Sequence, residues 1–183
     1  VSSLGAPTAN ADRLEAAGVV GAGGAGFPTH IKARGAADVV IANGVGGEPV
    51  LSKDKAIMRA RPDDVVAGLA VMMQCVGASA GVIAIKRKNS REVDAMRRAA
   101  RGYANVSVAE VGDYYPAGDE HVLVYELLGR VVPAGGIPLQ AGAVVSNVET
   151  LLNVANAVRD GSPLTHKYLT VAGEVWRPGT FRV

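Results

Sequence analysis

Residues able to do chemistry gather first in one run, Gly18-Val-Val-Gly-Ala-Gly-Gly-Ala-Gly-Phe-Pro-Thr-His-Ile-Lys32. It holds five glycines, a proline, a hydroxyl and a lysine. Glycines this dense let backbone approach a ligand closely, since no Cβ intervenes. Several N–H groups can then point into one concavity, a natural seat for a phosphate. Pro28 and Thr29 read as the opening of a helix, with Thr29 as its cap. A helix amino end adds partial positive charge on that side, and Lys32 a full charge one turn on. The spacing Gly21-x-Gly23-x-x-Gly26 fits a dinucleotide fingerprint, but residues 12–17 before it look helical, and the fingerprint needs a strand there. A flexible linker is the plain alternative. Phe27 and Pro28, fixed beside the glycines, argue against it.

Three further loops carry polar groups. Asn43-Gly-Val-Gly-Gly-Glu-Pro49 follows an apolar run. Tyr114-Tyr-Pro-Ala-Gly-Asp-Glu120 precedes a helical pattern, and Ser146-Asn-Val-Glu149 has the form of a capping box. A phosphate cradle with amides at strand ends suits a nucleotide-like cofactor. Asn43 and Asn147 would hydrogen-bond a flat polar ring, and Tyr115 or Phe27 would cover it. Glu48, Asp119 and Glu120 are the nearby acids. Each has a structural alternative: Asn147 as a helix cap, Glu48 as a turn residue, Asp119 and Glu120 at a helix amino end, Tyr115 as packing. His30, His121 and His166 show no metal-ligand spacing. No nucleophile-elbow or P-loop pattern occurs, and no general acid or base is assigned.

The elements that must hold these loops alternate. Strands are expected at Asp38–Ala42, Gly81–Ile85, Val106–Val111 and Ala143–Val145, all Val-rich. Helices are expected over 11–17, 51–60, 62–76, 90–102, 118–128 and from 149 onward, with Asn10 capping the first. Residues 132–142 read as irregular. This alternation gives an α/β fold, a mostly parallel sheet flanked by helices, with ligands at the carboxyl ends of the strands. Residues 1–10 read as a tether and 11–162 as the α/β domain. Asp160-Gly-Ser-Pro163 marks a boundary. Beyond it Lys167–Val171 and Gly179–Val183 alternate as a hairpin, so the chain reads as stopping shortly after a second domain, 163–183, begins.

Bulk properties narrow the classes. The 183 residues are 49% hydrophobic but only 4% aromatic, so a core must be built of Val, Ala, Leu and Ile. A net charge of +2 with scattered basic residues argues against nucleic acid. No apolar run reaches the ~18 residues of a transmembrane helix, and no signal peptide is seen, which points to a cytoplasmic protein without direct membrane insertion. The single cysteine, Cys75, excludes an internal disulfide or a cysteine-ligated cluster within this chain.

Four motifs in order carry a resemblance: Gly21–Thr29 with Lys32, Asn43 through Glu48-Pro49, Tyr115–Glu120, and Asn147–Leu151. They resemble the flavin-binding subunit of respiratory complex I, and more so the RnfC-type subunits of the Rnf electron-transport complex and the cobalamin reductases, across residues 14–183. The resemblance implies a Rossmann-like flavoprotein domain that oxidises NADH through FMN. It also implies the start of an SLBB-type β-grasp module at 163–183, and iron–sulfur clusters outside this chain. It implies redox-complex subunits as partners, at a membrane complex or in a microcompartment. Carried over by position, Gly21, Gly23, Gly24, Gly26 and Lys32 would hold the flavin. Asn43, Glu48, Tyr115, Gly118, Asp119, Glu120, Asn147 and Thr150 would line the pocket, with Phe27 on the nicotinamide side. The sequence departs from the family at Ala22, where complex I proteins carry arginine, and at Val45 and Gly46, where one or two acids are usual. Loss of those acids keeps open an alternative: a cofactor-free scaffold that retains the fold and docks a partner.

Overall fold

The computed structural model describes residues 6–48 and 50–183. Helices α1 (Pro7–Ala16) and α2 (Thr29–Ala33) flank the glycine loop. Then follow β1 (Val39–Asn43), α3 (Lys53–Ala60), α4 (Pro62–Val76), β2 (Ala80–Lys86), α5 (Ser90–Ala100) and β3 (Val106–Val111). The chain continues with α6 (Glu120–Leu128), a 3-10 turn (Pro138–Ala141), β4 (Ala143–Asn147), α7 (Val148–Asp160), and the strands β5 (Tyr168–Val171) and β6 (Gly179–Arg182).

The first four strands form one sheet in the order β3-β2-β1-β4, every pair parallel. A parallel sheet is covered on both faces, which is why β1 is a continuous apolar run rather than an alternating one. Val40 and Ala42 face the larger core with α1, α4, α5 and α7. Val39 and Ile41 face a smaller core containing Leu123 and Val124 of α6. Successive strands leave β1 in one direction to β2 and β3, and then β4 returns to its other side. The strand order therefore reverses between β1 and β4, the place where such sheets open a crevice at their carboxyl ends. Asn43 and Asn147, the last residues of these two strands, lie opposite each other in register.

Helix α4 lies against α7 at short range. A Cβ on Gly68 would run into the Leu151 carbonyl, so only glycine admits this approach. That contact sets how deeply α7, and hence its amino end beside the crevice, can sit.

Several elements differ from expectation. Helix α1 begins at Pro7, inside the expected tether; residues 1–5 lie outside the described ones. Proline suits a first helical position, and Asn10 is buried within the helix rather than capping it. Pro28 takes the N-cap position of α2, which therefore has no side-chain cap hydrogen bond, and Thr29 is a buried helical residue rather than the cap. Residues 132–142, read as irregular, contain the 3-10 turn. The capping box at Ser146–Glu149 is not formed. Strand β4 runs on to Asn147, so Ser146 is buried in the strand and Asn147 itself caps α7, accepting from the Glu149 N–H. Glu149 turns instead to a lysine described below.

The antiparallel β5–β6 hairpin is a separate two-stranded sheet docked on α3. Its paired residues Thr170 and Thr180 both reach the start of that helix. Thr170 Oγ1 accepts from the Ser52 and Lys53 N–H groups, each at 3.0 Å, and Thr180 Oγ1 lies 2.9 Å from Ser52 Oγ. The hairpin thus supplies the side-chain oxygen that satisfies two unpaired amides of α3, a role that Ser52 does not perform for itself.

Candidate functional site

The neck of the glycine loop is pinched shut by backbone hydrogen bonds. Thr29 N–H donates to Val19 O at 3.0 Å and Gly21 N–H to Phe27 O at 2.8 Å, around a bridge between Val20 and Pro28. The tip, residues 23–26, is exposed. The loop is held from below as well, where Ala22 N–H donates to the buried Thr150 Oγ1 at 2.9 Å. These restraints make it a shaped loop rather than a linker.

The loop forms one wall of a cleft of ≈ 410 Å³ at the carboxyl ends of β1 and β4. Gly21, Gly23, Gly26 and Phe27 contribute from the loop and Lys32 from α2. Asn43, Glu48, Gly118, Asp119 and Glu120 line it from the end of β1 and the loops after β1 and before α6, and Asn147 and Thr150 from the end of β4 and the start of α7. Two expected residues stand elsewhere. Gly24 does not line the cleft. The Tyr115 side chain is 79% exposed and is likewise absent from the wall. The segment presents backbone to the cleft, not an aromatic ring: Gly118 lies so close to Gly46 and Gly47 that an added Cβ would sit 3.2 Å from their backbone atoms.

The asparagines act first as staples. Asn43 Nδ2 donates to Gly118 O at 2.9 Å, and its Oδ1 accepts from Val45 N–H at 3.2 Å, which ties two cleft loops together. Asn147 Oδ1 caps α7, and its Nδ2 donates to Asp54 Oδ2 at 3.0 Å. Asp119 caps α6 by accepting from the His121 and Val122 N–H groups. The cap reading of Asn147 and Asp119 therefore holds alongside their position on the cleft.

Two lysines line the cleft and they are differently placed. Lys53 lies 2.6 Å from Glu149 Oε2 and 3.1 Å from Asp54 Oδ1, so both carboxylates claim it. Burial works against its charge, but these carboxylates outweigh burial and its pKa is raised. Lys32 donates to Val145 O at 2.8 Å on the free edge of β4, and its ion-pair partner Glu120 is 3.8 Å away. Burial dominates there and lowers its pKa, with Glu120 offsetting part of the effect. The Lys32 ammonium also sits 5.5 Å from the centre of the Phe27 ring. A half-buried ammonium with one distant carboxylate has charge left for an anion; one clamped between two carboxylates does not.

Sequence reading missed Lys53 and Asp54, and it gave Glu149 the wrong task. A usable signal was present. Glu149 opens a helix that carries Leu151, Leu152, Val154 and Ala155, and an acid on a buried face needs a cation, which Lys53 supplies after the second glycine-rich loop. Ile137 and Leu139 on the cleft were also missed, because residues 132–142 carry no periodic pattern, and Leu51 was missed because it was assigned to a helix that begins only at Lys53.

Position 45 behaves unlike its neighbours. Val45 is 4% exposed and belongs to the smaller core, so this position turns away from the cleft. Gly46 does line the cleft, with φ +67.

The cleft can be compared with known families. The Nuo51 FMN-binding domain matches residues 14–156. The chain belongs to that family. It is 40% identical over 172 residues to the cobalamin reductase PduS of Citrobacter freundii, covering 94% of this chain and 38% of the relative. It is 37% identical over 164 residues to a subunit of the proton-translocating ferredoxin:NAD(+) oxidoreductase complex of Clostridium ljungdahlii, covering 87% of this chain and 36% of that protein. An NAD+-reducing NiFe hydrogenase in the H2-reduced state superposes with a TM-score of 0.82 at 27% identity, over 97% of this chain and 37% of the matched one. The chain thus spans little more than a third of the curated relatives it matches. Among the described residues, no helix is long and apolar enough to cross a membrane.

Proposed function

We propose that this chain binds FMN in the cleft at the carboxyl ends of β1 and β4 and serves as the electron-entry domain of a larger redox protein, with NADH as donor. The observation that carries the reading is the convergence, at the strand-order reversal, of a pinned glycine loop with a lysine that retains charge for an anion. The fit to FMN rests on three features. The loop tip is exposed and rich in N–H groups beside the cleft. Lys32 supplies the ammonium that a phosphate requires. The cleft volume of ≈ 410 Å³ lies within the ~300–1,000 Å³ usual for small-ligand sites.

Bound flavin would accept a hydride and release electrons singly; that chemistry is the cofactor's own. The residues of this chain hold and orient it. Glycine-loop amides and Lys32 neutralise the anionic end. The loops stapled by Asn43 set the width of the cleft, and the apolar side chains of Ile137 and Leu139 keep water away. Phe27 offers a ring at the loop edge for a nicotinamide nucleotide. Glu48, Asp119 and Glu120 give the cleft lining an acidic character that suits ring N–H and ribose hydroxyl donors. Electrons would leave to iron–sulfur clusters on other segments or subunits, in keeping with relatives that are subunits of redox complexes. A peripheral cytoplasmic place, beside a membrane complex or in a microcompartment, is part of the same proposal.

The test is an anaerobic titration of the purified chain with FMN, followed by NADH. Flavin fluorescence should quench on binding, and NADH should bleach the yellow absorbance. Lys32→Ala should weaken FMN more than riboflavin, which lacks the phosphate. A chain that stays colourless after desalting would leave the cofactor-free scaffold in its place. Equal losses for both flavins would remove Lys32 from the phosphate.

A further inference from the structure

Lys53, Asp54, Asn147 and Glu149 form a polar cluster that joins three parts of the molecule. Glu149 is 1% exposed. One of its oxygens takes Lys53 at 2.6 Å, and the other accepts from the Tyr168 N–H of the hairpin at 2.9 Å. The Lys53 ammonium also reaches Ala22 O, at 3.5 Å. Ala22 is therefore contacted on both backbone groups: its N–H by Thr150, its carbonyl by Lys53, which is itself held by Thr150's neighbour Glu149. The amino end of α3 that carries Lys53 is in turn fixed by Thr170 of the hairpin. A continuous chain of hydrogen bonds runs from the hairpin through Lys53 and Glu149 to the glycine loop.

We propose that the β5–β6 hairpin positions the glycine loop of the cleft, with Lys53 and Glu149 as the positioning residues. Neither hairpin strand lines the cleft, so the influence passes through those two side chains. A buried carboxylate that serves a lysine and a hairpin amide together keeps a fixed place only while both are present. Displacing the hairpin leaves Glu149 with an unfilled lone pair, frees the first turn of α3 and loosens the hold on Ala22. The flavin cleft and the segment that begins at the hairpin are thereby mechanically joined. The inference rests on the FMN reading for its ligand only; the effect on the loop is independent of it.

The test uses the full chain with three variants. Thr170→Val removes the acceptor for the Ser52 and Lys53 amides while keeping side-chain volume, and Thr170→Ser restores it. The pair Lys53→Met with Glu149→Leu removes the closer ion pair as a unit, so the fully buried Glu149 is not left without its cation, and Asp54 keeps its hydrogen bond from Asn147. Amide hydrogen exchange over residues 21–26 is followed without ligand, and FMN affinity by fluorescence quenching. Thr170→Val and the double variant should exchange faster in that segment and weaken FMN by about fivefold, the worth of the one hydrogen bond by which Lys53 holds the Ala22 carbonyl. Thr170→Ser should match the parent in both. A merely structural role predicts lower thermal stability with unchanged exchange at 21–26 in either variant, and that result overturns the proposal. Should the parent take up no FMN, the proposed function fails, while the exchange measurement still decides the inference.

Discussion

Thr150 offers the sharpest single perturbation of the cleft. Its hydroxyl, 3% exposed, accepts from Ala22 N–H at 2.9 Å and is the direct link between α7 and the glycine loop. Thr150→Val keeps the β-branched shape and removes the acceptor. A buried hydrogen bond contributes about 0.5–1.5 kcal/mol net, and an orphaned donor costs about 1–3 kcal/mol. Ala22 is only partly buried, so its N–H can turn to water and the lower end applies, about 1 kcal/mol. If the shaped loop is the form that binds flavin, the ratio of shaped to unshaped loop falls about fivefold. The apparent Kd for FMN then rises by up to about fivefold, the full factor where the unshaped form comes to dominate. Thermal stability should fall together with it, by about 2–4 °C for a chain of this size. The assay is paired: fluorescence titration with FMN and a melting curve on the same preparation, with Thr150→Ser as the control that retains the hydroxyl. A variant that melts lower yet binds FMN within twofold of the parent would refute the reasoning, because the bond would then be shown to support α7 and not the ligand-binding shape of the loop.

Two other outcomes follow from the geometry. Burial lowers the Lys32 pKa, and Glu120 offsets it only in part. The ammonium is therefore lost at a pH below the ordinary lysine value of about 10.4. FMN affinity should fall as pH rises through that lowered value while riboflavin affinity stays flat; a parallel decline of both ligands would contradict it. Gly68→Ala places a methyl against the Leu151 carbonyl where α4 meets α7. It should cost about 1–3 kcal/mol in urea denaturation, the usual range for overpacking, and an unchanged midpoint would show that the two helices separate freely.

The local sequence determined the elements and their order. Val-rich runs such as Val39–Ala42 could be read as buried parallel strands because burial on both faces makes them continuously apolar. The run Pro62–Val76 could be read as a helix from its opening proline and the acids of its first turn, since these act on the residues beside them. The glycine run and Lys32 were visible for the same reason: close backbone approach and a charge one turn on are properties of adjacent residues.

Tertiary structure decided what each polar group pairs with. Glu149 and Ser146 satisfy the spacing of a capping box, yet one extra residue of strand gives the cap to Asn147 and releases Glu149 to a lysine from another helix. Tyr115 belongs to a site motif by sequence, but the backbone at Gly118 forms the wall while the ring stands in water. Thr170 looks like an ordinary alternating strand residue and serves as a cap for α3. Such pairings depend on distances between segments far apart in the chain. No local propensity encodes them; they are set when the β4–α7 unit returns to the far side of β1.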